Sequence, residues 1–426
     1  MSLRYPASAF DIFNVYFERI YDPSMHVVFT FDGAVEAGAL REAVMRFIAS
    51  SPYLRSRFAD EGEGFPAWEE IPEQEWERAF VIAPDGEGLP PPPLDVRAGP
   101  QIRVTLCRQE DMVIITCHHG FCDAAGAMAL ARGVFSAYRS ILENPDFRPA
   151  PIDPCDRSTD RILMLYTDEE RRQALAEEEP FVDRWRFPVE RTGRGIPCVT
   201  SRTLAPERLG RIKAFGHEHG ATVNDILIAA FFLAFQKIRA DPGDPGAPRS
   251  ILTSVDLRRR YPGCCDEDMP INLSTAYAVT LYVDEETGLK DVVGQVTAIT
   301  SRRKTEHPGL AAILFYEEIM AGGMPAVRAF FDDMMKRYIS SGHKNPVFAN
   351  LGIFDPGDHL PVPGRDGTML DITGIQYLPC VCWPYGFLMT ASTFRGRLTV
   401  MTAYEEGPYS TATVERFLKY VDEYLP

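Results

Sequence analysis

The chain has 426 residues, 45% of them apolar and 24% charged, which excludes a disordered or fibrous protein and allows two or three domains with ample core. Its formal net charge of −16 argues against a nucleic-acid partner, because neutralising a phosphate backbone requires clustered Lys and Arg. The longest dense apolar run, residues 226–235, is too short to cross a bilayer, and the N-terminus has no basic-then-apolar signal. We therefore expect a cytoplasmic protein without stable membrane insertion.

The first part of the chain alternates predicted strands and helices. Residues 26–31 and 101–107 have the apolar or alternating pattern of strands, and residues 36–50 have the periodicity of a helix. The apolar, β-branched run at residues 112–117 predicts a buried strand. Residues 124–142 then place apolar side chains on one helix face, so this half is α/β.

A connection between two lobes is predicted next. Residues 144–160 are rich in proline and polar side chains, and a charged stretch follows them. We divide the chain into an N-terminal lobe at residues 1–155, a connection at residues 156–195 and a C-terminal lobe at residues 196–426.

The C-terminal part again mixes strands and helices, and its predicted elements follow the same signals of periodicity, turn residues and apolar runs. They are strands at residues 198–204, 251–255 and 274–283, helices at residues 206–218 and 223–238, a loop at residues 240–249, a hairpin of residues 387–394 and 397–404 around Arg395 and Gly396, and a last helix at residues 413–425.

Two histidines and an aspartate, His118, His119 and Asp123, follow the strand at residues 112–117. Successive side chains of an extended chain point to opposite faces, so one imidazole is expected to face a cleft and the other to pack. Asp123 stands at a helix start, where N-capping alone would explain it. No metal site is expected, because adjacent histidines point apart and no further ligand cluster follows.

This region resembles the segment that leads into the HHxxxDG motif of the condensation-domain superfamily. The superfamily includes chloramphenicol acetyltransferase-like enzymes, nonribosomal peptide condensation domains, wax ester synthases and alcohol acetyltransferases. Further segments resemble the superfamily in the same order along the chain, at residues 35–44, 51–58, 220–230, 254–258 and 349–352. Two features depart from the pattern: Ala124 replaces the usual glycine, with Gly126 two residues later, and the DFGWG segment of the plant branch is absent.

The resemblance implies an α/β (α+β) fold with two chloramphenicol acetyltransferase-like lobes in a V and a central active-site channel. The candidate catalytic residues are His119, His118 and Asp123. His119 is expected to be the general base of an acyl transfer without a covalent intermediate, since an unperturbed imidazole is mostly neutral at cytoplasmic pH, and His118 is expected to be structural. Asp123 is expected to form a structural ion pair with an arginine, with Arg258 the first candidate and Arg55 the second.

Other candidate contacts are less specific. Asn350, at a predicted strand end, is either a channel contact or an ordinary turn asparagine. Trp383 and Tyr385 either line the acceptor side of the channel or anchor the core. The arginine-rich runs at residues 258–260 and 302–304 either meet the phosphates of coenzyme A or form solvated surface.

Three functions are compatible with these residues. No nucleophile elbow, P-loop or dinucleotide fingerprint occurs, and the nine cysteines lack metal or redox spacing. The first hypothesis is an acyltransferase that moves an acyl group from a coenzyme A thioester, as co-substrate and without another cofactor, to an alcohol or amine. The second is a stand-alone condensation enzyme that uses a carrier-protein thioester in trans. The third is a non-catalytic condensation-like protein that binds a partner.

Overall fold

The structure is a computed structural model. It describes residues 3–61, 64–84, 86, 88–109, 111–152, 157–178, 182–239, 248–259, 261, 269–284, 286–306, 309–354 and 362–426. Parts of the sequence interpretation lie outside the described residues. They are Arg260, three of the nine cysteines (Cys155, Cys264 and Cys265), residues 240–247 of the predicted loop, residues 153–155 of the proline-rich stretch, and residues 156 and 179–181 of the predicted connection. The predicted lobe boundaries stay a prediction.

The N-terminal third begins with short elements and ends in a long helix. Its elements are β1 (Arg4–Pro6), α1 (Ala9–Tyr16), a 3₁₀ helix (Phe17–Arg19), β2 (Tyr21–Asp22), β3 (Ser24–Phe31), α2 (Ala37–Ala49), β4 (Ser56–Ala59), β5 (Ala67–Glu70), a 3₁₀ helix (Glu73–Ala79), β6 (Phe80–Ile82), β7 (Ile102–Cys107), β8 (Met112–His118) and α3 (Ala124–Glu143).

The rest of the chain contains the larger sheet and most helices. Its elements are α4 (Asp160–Leu163), α5 (Asp168–Glu177), β9 (Ile196–Thr203), α6 (Pro206–His219), α7 (Val223–Ile238), β10 (Arg249–Asp256), β11 (Ser274–Leu281), α8 (Leu289–Thr305), α9 (Leu310–Ala321), α10 (Gly323–Ser341), β12 (Val347–Phe354), β13 (Val362–Pro363), β14 (Met369–Leu370), β15 (Ile372–Leu378), β16 (Val381–Cys382), β17 (Leu388–Phe394), β18 (Arg397–Glu406) and α11 (Thr411–Tyr424).

The predicted strands and helices lie within a few residues of their positions in the structure. The two-residue hairpin is confirmed: Phe394 pairs with Arg397, and Arg395 and Gly396 both have positive φ angles, of 48° and 75°. The prediction that residues 349–352 form a strand end is wrong. They lie inside β12, where a bulge between Asn350 and Gly352 interrupts the pairing with β17.

The first sheet has the order β15-β3-β8-β7-β6, and the helices α2 and α3 cover one face. Alternation along β8 sends Ile115 and Cys117 into the core on that face, whereas Ile114 joins a small cluster with Leu378 and Met401 on the opposite face. Because Met401 belongs to β18 of the other sheet, the second face of this sheet packs against the other lobe.

The second sheet has the order β11-β10-β12-β17-β18-β16-β2, with β9 paired to β18. Its core contains α7, whose nearly continuous apolar sequence is explained by burial on almost every side between α8, α11 and the sheet. The two lobes exchange strands: β2 from the N-terminal third joins this sheet, and β15 from the last third completes the first one.

Taken one at a time, none of the described helices combines the length and apolar composition required of a membrane span.

Candidate functional site

The histidine motif lies on the turn between β8 and α3. The chain turns sharply at Gly120, where a Cβ would collide with Val15 Cγ2 and lie 3.0 Å from His118 Nδ1. The turn therefore packs closely on α1, and the two histidines just before it are held in separate surroundings.

His119 is partly buried and fixed by three contacts. Its backbone N–H donates to Pro23 O at 2.8 Å, and the Asn272 side-chain amide donates to its carbonyl oxygen at 2.6 Å. Asn272 Nδ2 also lies 2.8 Å from His119 Nδ1. The Asn272 amide is oriented by Ser274, whose backbone N–H donates to Asn272 Oδ1 at 3.0 Å. Nε2 is therefore the ring nitrogen of His119 that is left for a ligand.

The protonation state of His119 follows from its surroundings. Burial lowers its pKa below the ordinary value of 6.5, whereas a hydrogen bond to its own backbone and the Asp123 carboxylate oppose this shift. The net lowering leaves the imidazole neutral at pH 7. A neutral ring can accept a proton.

Asp123 connects the motif to the second lobe. Arg258 Nη1 lies 2.6 Å from Asp123 Oδ2, and both side chains are at most 5% exposed. The backbone N–H groups of Leu273 and Gly126 donate to Asp123 at 2.7 and 2.9 Å, the second as a helix N-cap. Arg55 instead pairs with Glu70 at 3.1 Å. Of the two candidate partners, the structure brings Arg258 to Asp123.

His118 lies on the other side of the chain from the contacts of His119. It is 2% exposed, and Gly120 N–H donates to its Nδ1 at 2.9 Å. Together with Trp383, it lines a cavity of about 360 Å³ whose walls come from both lobes, and His119 is not among the lining residues. The structure thus separates the two imidazoles: His119 lies beside Asn272, and His118 lines this cavity.

The remaining predicted contact residues are not brought together. Asn350 Oδ1 accepts a hydrogen bond from Gly352 N–H at 3.0 Å, a local contact across the β12 bulge. Tyr385 packs against Tyr338, with ring centroids 5.8 Å apart. The guanidinium of Arg186 lies over the Tyr385 ring, 5.6 Å from its centroid. Only Trp383 of this predicted group lines the cavity beside the motif.

The two arginine-rich runs have different environments. Arg258 is buried on Asp123, so it is neither a phosphate contact nor solvated surface, whereas Arg259 is 80% exposed beside Asp256. Arg302 and Arg303 line a second cavity of about 200 Å³. Both also face Glu306, at 3.5 and 3.4 Å.

Two buried contacts were not predicted from the sequence. Asn272 follows a segment without strand or helix periodicity, so nothing in the sequence indicates that this asparagine contacts His119. Arg157, which forms a buried ion pair with Asp11 at 2.8 Å, lies in the proline-rich connection and was assigned to a linker. In the described part of the chain, no three His, Cys, Asp or Glu side chains come together as a possible metal site.

No family model matches the chain. Two curated relatives are phthiocerol/phthiodiolone dimycocerosyl transferases, from Mycobacterium leprae (strain TN), 23% identical over 197 residues, and Mycobacterium bovis (strain BCG / Pasteur 1173P2), 22% identical over 286 residues. These matches cover 44% and 62% of this chain, and 45% and 66% of the relatives. The chain therefore matches less than two thirds of the length of either relative.

Solved structures resemble the chain over its whole length. A trichothecene 15-O-acetyltransferase from Fusarium sporotrichioides has a TM-score of 0.69 at 15% identity, covering 100% of this chain and 94% of that one. The first condensation domain of the CDA synthetase has a TM-score of 0.62 at 16% identity, covering 100% and 97%. The expected fold, α/β (α+β) with two chloramphenicol acetyltransferase-like lobes, is confirmed.

Proposed function

We propose that the protein is an acyltransferase that moves an acyl group from a coenzyme A thioester to an alcohol or amine. The observation that carries this proposal is His119: a neutral, partly exposed imidazole, fixed by Asn272 and placed beside the buried Asp123–Arg258 pair. The names of the curated relatives and of the acetyltransferase with the same fold support acyl transfer.

The proposed reaction uses His119 Nε2 as general base. Nε2 takes the proton of the acceptor hydroxyl or amine while the acceptor atom forms a bond to the thioester carbonyl carbon. When the C–S bond breaks, the proton on Nε2 passes to the departing thiolate, so no group stays attached to the protein. For Nε2 to accept, the ring hydrogen must lie on Nδ1, and the carbonyl oxygen of His119 itself is its acceptor. In this tautomer the Asn272 amide donates to that carbonyl oxygen alone, and its contact with Nδ1 is not a hydrogen bond.

The donor is proposed to enter near Arg302 and Arg303. These arginines line the 200 Å³ cavity with Thr280, and guanidinium groups bind phosphate oxygens in bidentate geometry. Both coenzyme A and the prosthetic arm of a carrier protein present phosphate, so this cavity is compatible with either donor. A condensation domain among the structural neighbours gives the carrier-protein alternative its support.

A reducing compartment such as the cytoplasm is part of the proposal. The described cysteines Cys107, Cys117, Cys122, Cys198, Cys380 and Cys382 are free thiols. Proteins of oxidising compartments commonly pair their cysteines, whereas thiols persist in the cytosol.

The test is a thiol-release assay that combines acyl-CoA thioesters of several chain lengths with alcohols and amines. We expect acceptor-dependent release of coenzyme A, and acylated acceptor detected by mass spectrometry. His217→Ala, which removes an exposed histidine of α6, is the matched control and is expected to behave as wild type.

The same assay distinguishes the alternatives. Release from a carrier-bound thioester but not from any acyl-CoA would replace coenzyme A with a carrier protein as donor. Saturable binding of acceptors without release from either donor type would support the non-catalytic hypothesis and contradict acyl transfer.

A further inference from the structure

The 360 Å³ cavity beside His118 lies on the opposite side of the motif from Asn272. Its residues come from both lobes: His118 and Asp22 from the ends of β8 and β2, Asp95 from the segment before β7, and Arg194 and Trp383 from the C-terminal part of the chain. Nothing in the proposed proton transfer uses this cavity.

His118 presents a hydrogen-bond donor to the cavity. Its Nδ1 accepts from Gly120 N–H at 2.9 Å, so the hydrogen of the neutral ring lies on Nε2. Burial, together with the nearby His119 and Arg97, lowers the pKa of His118 to about 3, so the ring stays neutral at physiological pH. The side chain is 2% exposed, and among the described residues Nε2 has no hydrogen-bond partner. Because His118 lines the cavity, a ligand or water there can accept from Nε2–H.

The walls of the cavity supply acceptors. Asp22 uses Oδ1 to accept from Ser24 N–H at 2.9 Å, and Asp95 uses Oδ1 to accept from Arg97 N–H at 2.9 Å. In the described structure, the second carboxylate oxygen of each forms no hydrogen bond. Ionised carboxylates only accept hydrogen bonds, so both can receive hydroxyl or ammonium hydrogens.

The charge of the lining argues against an anionic ligand. Three carboxylates, those of Glu18, Asp22 and Asp95, line the cavity with one arginine, Arg194. Glu18 is paired with Arg97 at 2.9 Å, which leaves the charges of Asp22 and Asp95. Arg194 is already bound to Glu405 at 2.6 Å and lies 3.7 Å from the ring centroid of Trp383. Phosphate would meet excess negative charge here, in contrast to the cavity lined by Arg302 and Arg303.

We propose that this cavity binds a hydroxylated small molecule that is neutral or cationic. A hydroxyl oxygen of the ligand accepts from His118 Nε2–H, and its hydroxyl or ammonium hydrogens are donated to Asp22 and Asp95. The Trp383 ring and Leu94 contact its carbon atoms. The proposal concerns binding alone, so it stands whether or not acyl transfer is observed.

The experiment is a ligand-observed NMR titration of the full chain with three probes of similar length. N-methylglucamine carries hydroxyls and an ammonium group, gluconate carries hydroxyls and a carboxylate, and hexylamine carries an ammonium group without hydroxyls. We expect saturable binding of N-methylglucamine, with a lower Kd than for either of the other two. Absence of saturation, or gluconate or hexylamine binding as tightly or more tightly, overturns the proposal.

Variants locate the binding. Asp95→Asn keeps an acceptor for Arg97 N–H but removes the charge, and we expect the Kd of N-methylglucamine to rise about 1.5- to 5-fold, as for an exposed charge pair. His118→Phe removes the donor and should raise the Kd about fivefold. Asp168→Asn, the same charge change at an exposed site on α5, should leave the Kd unchanged.

A direct readout keeps the test independent of the folding of the His118 variant. The ring N–H signal of His118, assigned in wild-type protein, should shift during titration with N-methylglucamine. An unshifted His118 signal at saturation, or an unchanged Kd in Asp95→Asn, rejects the assigned site.

Discussion

The two nitrogen atoms of His119 have different surroundings, and this difference determines what the ring can do. Nδ1 faces Asn272, whose side-chain amide donates a hydrogen bond to the His119 carbonyl oxygen. Among the described residues none hydrogen-bonds to Nε2, which is the ring atom that we propose meets the substrate. A single buried asparagine, 3% exposed, therefore positions the proposed base by donating to its backbone carbonyl oxygen.

Asp123 and Arg258 form a second residue-scale feature, which yields a stability prediction. Asp123→Asn or Arg258→Met leaves one buried charge without its partner, so we expect each variant to lose about 3–5 kcal/mol of unfolding free energy. Denaturant unfolding measures the loss. Arg259→Met, at the neighbouring exposed arginine, should change stability by less than about 0.5 kcal/mol.

The double variant completes the test of the pair. Because the two side chains contact each other, Asp123→Asn combined with Arg258→Met should cost less than the sum of the single losses. Additive losses, or an unchanged free energy of unfolding in Asp123→Asn, would contradict a coupled buried pair.

At the scale of elements, α3 depends on a glycine in its first turn, Gly126. A Cβ on Gly126 would lie 2.7 Å from Cys122 Cβ and 3.0 Å from the carbonyl oxygen of Ile271. The glycine found two residues later than in the superfamily pattern is therefore where α3 approaches the backbone of the second lobe.

This approach predicts the cost of adding a methyl group. Gly126→Ala must displace Cys122 Cβ and crowd the Ile271 carbonyl oxygen, and we expect a loss of about 1–3 kcal/mol in the free energy of unfolding. Gly294→Ala, inside α8 with no atom within 4 Å of the new Cβ, should instead gain about 0.5–1 kcal/mol. Equal changes in the free energy of unfolding for Gly126→Ala and Gly294→Ala would contradict a close contact between α3 and the Ile271 backbone.

Local elements were predictable from the sequence, but their partners were not. The apolar run of β8 and the helical periodicity of α3 specify their own conformations, because each pattern depends on neighbouring residues. The pairing of β15 with β3 joins residues more than 340 positions apart, and periodicity contains no information on such a contact. Asn272 was missed for the same reason, since its importance comes from a residue 153 positions away.

On the scale of the whole molecule, the exchange of β2 and β15 ties the two lobes together, and buried histidines lie near this junction. On β3, His26 is 2% exposed, and its Nδ1 lies 2.9 Å from Thr116 Oγ1. Burial lowers the pKa of His26 to about 3, with Arg103 contributing. His118 has a pKa of about 3 as well.

These pKa values predict how stability depends on pH. Below pH 6.5 the unfolded chain binds protons at both histidines while the folded chain does not, so the unfolded state gains stability as the pH falls toward 3. Between pH 7 and pH 5, we expect a loss on the order of 2 kcal/mol for each histidine. Urea unfolding at the two pH values measures this loss of unfolding free energy. In His26→Gln, only His118 of the two histidines remains, so their joint contribution to the loss should fall by roughly half. A free energy of unfolding that is flat over this interval in wild type would contradict the neutral buried rings.

The proposed proton transfer at His119 is tested most directly by comparing wild type with His119→Ala in the thiol-release assay, using the best donor and acceptor. Positioned proton transfer contributes about 10²–10⁴-fold to a rate, so we expect kcat/KM to fall by at least about 100-fold while the protein stays folded. An acceptor-dependent kcat/KM equal to that of wild type would contradict the assignment of His119 as the general base.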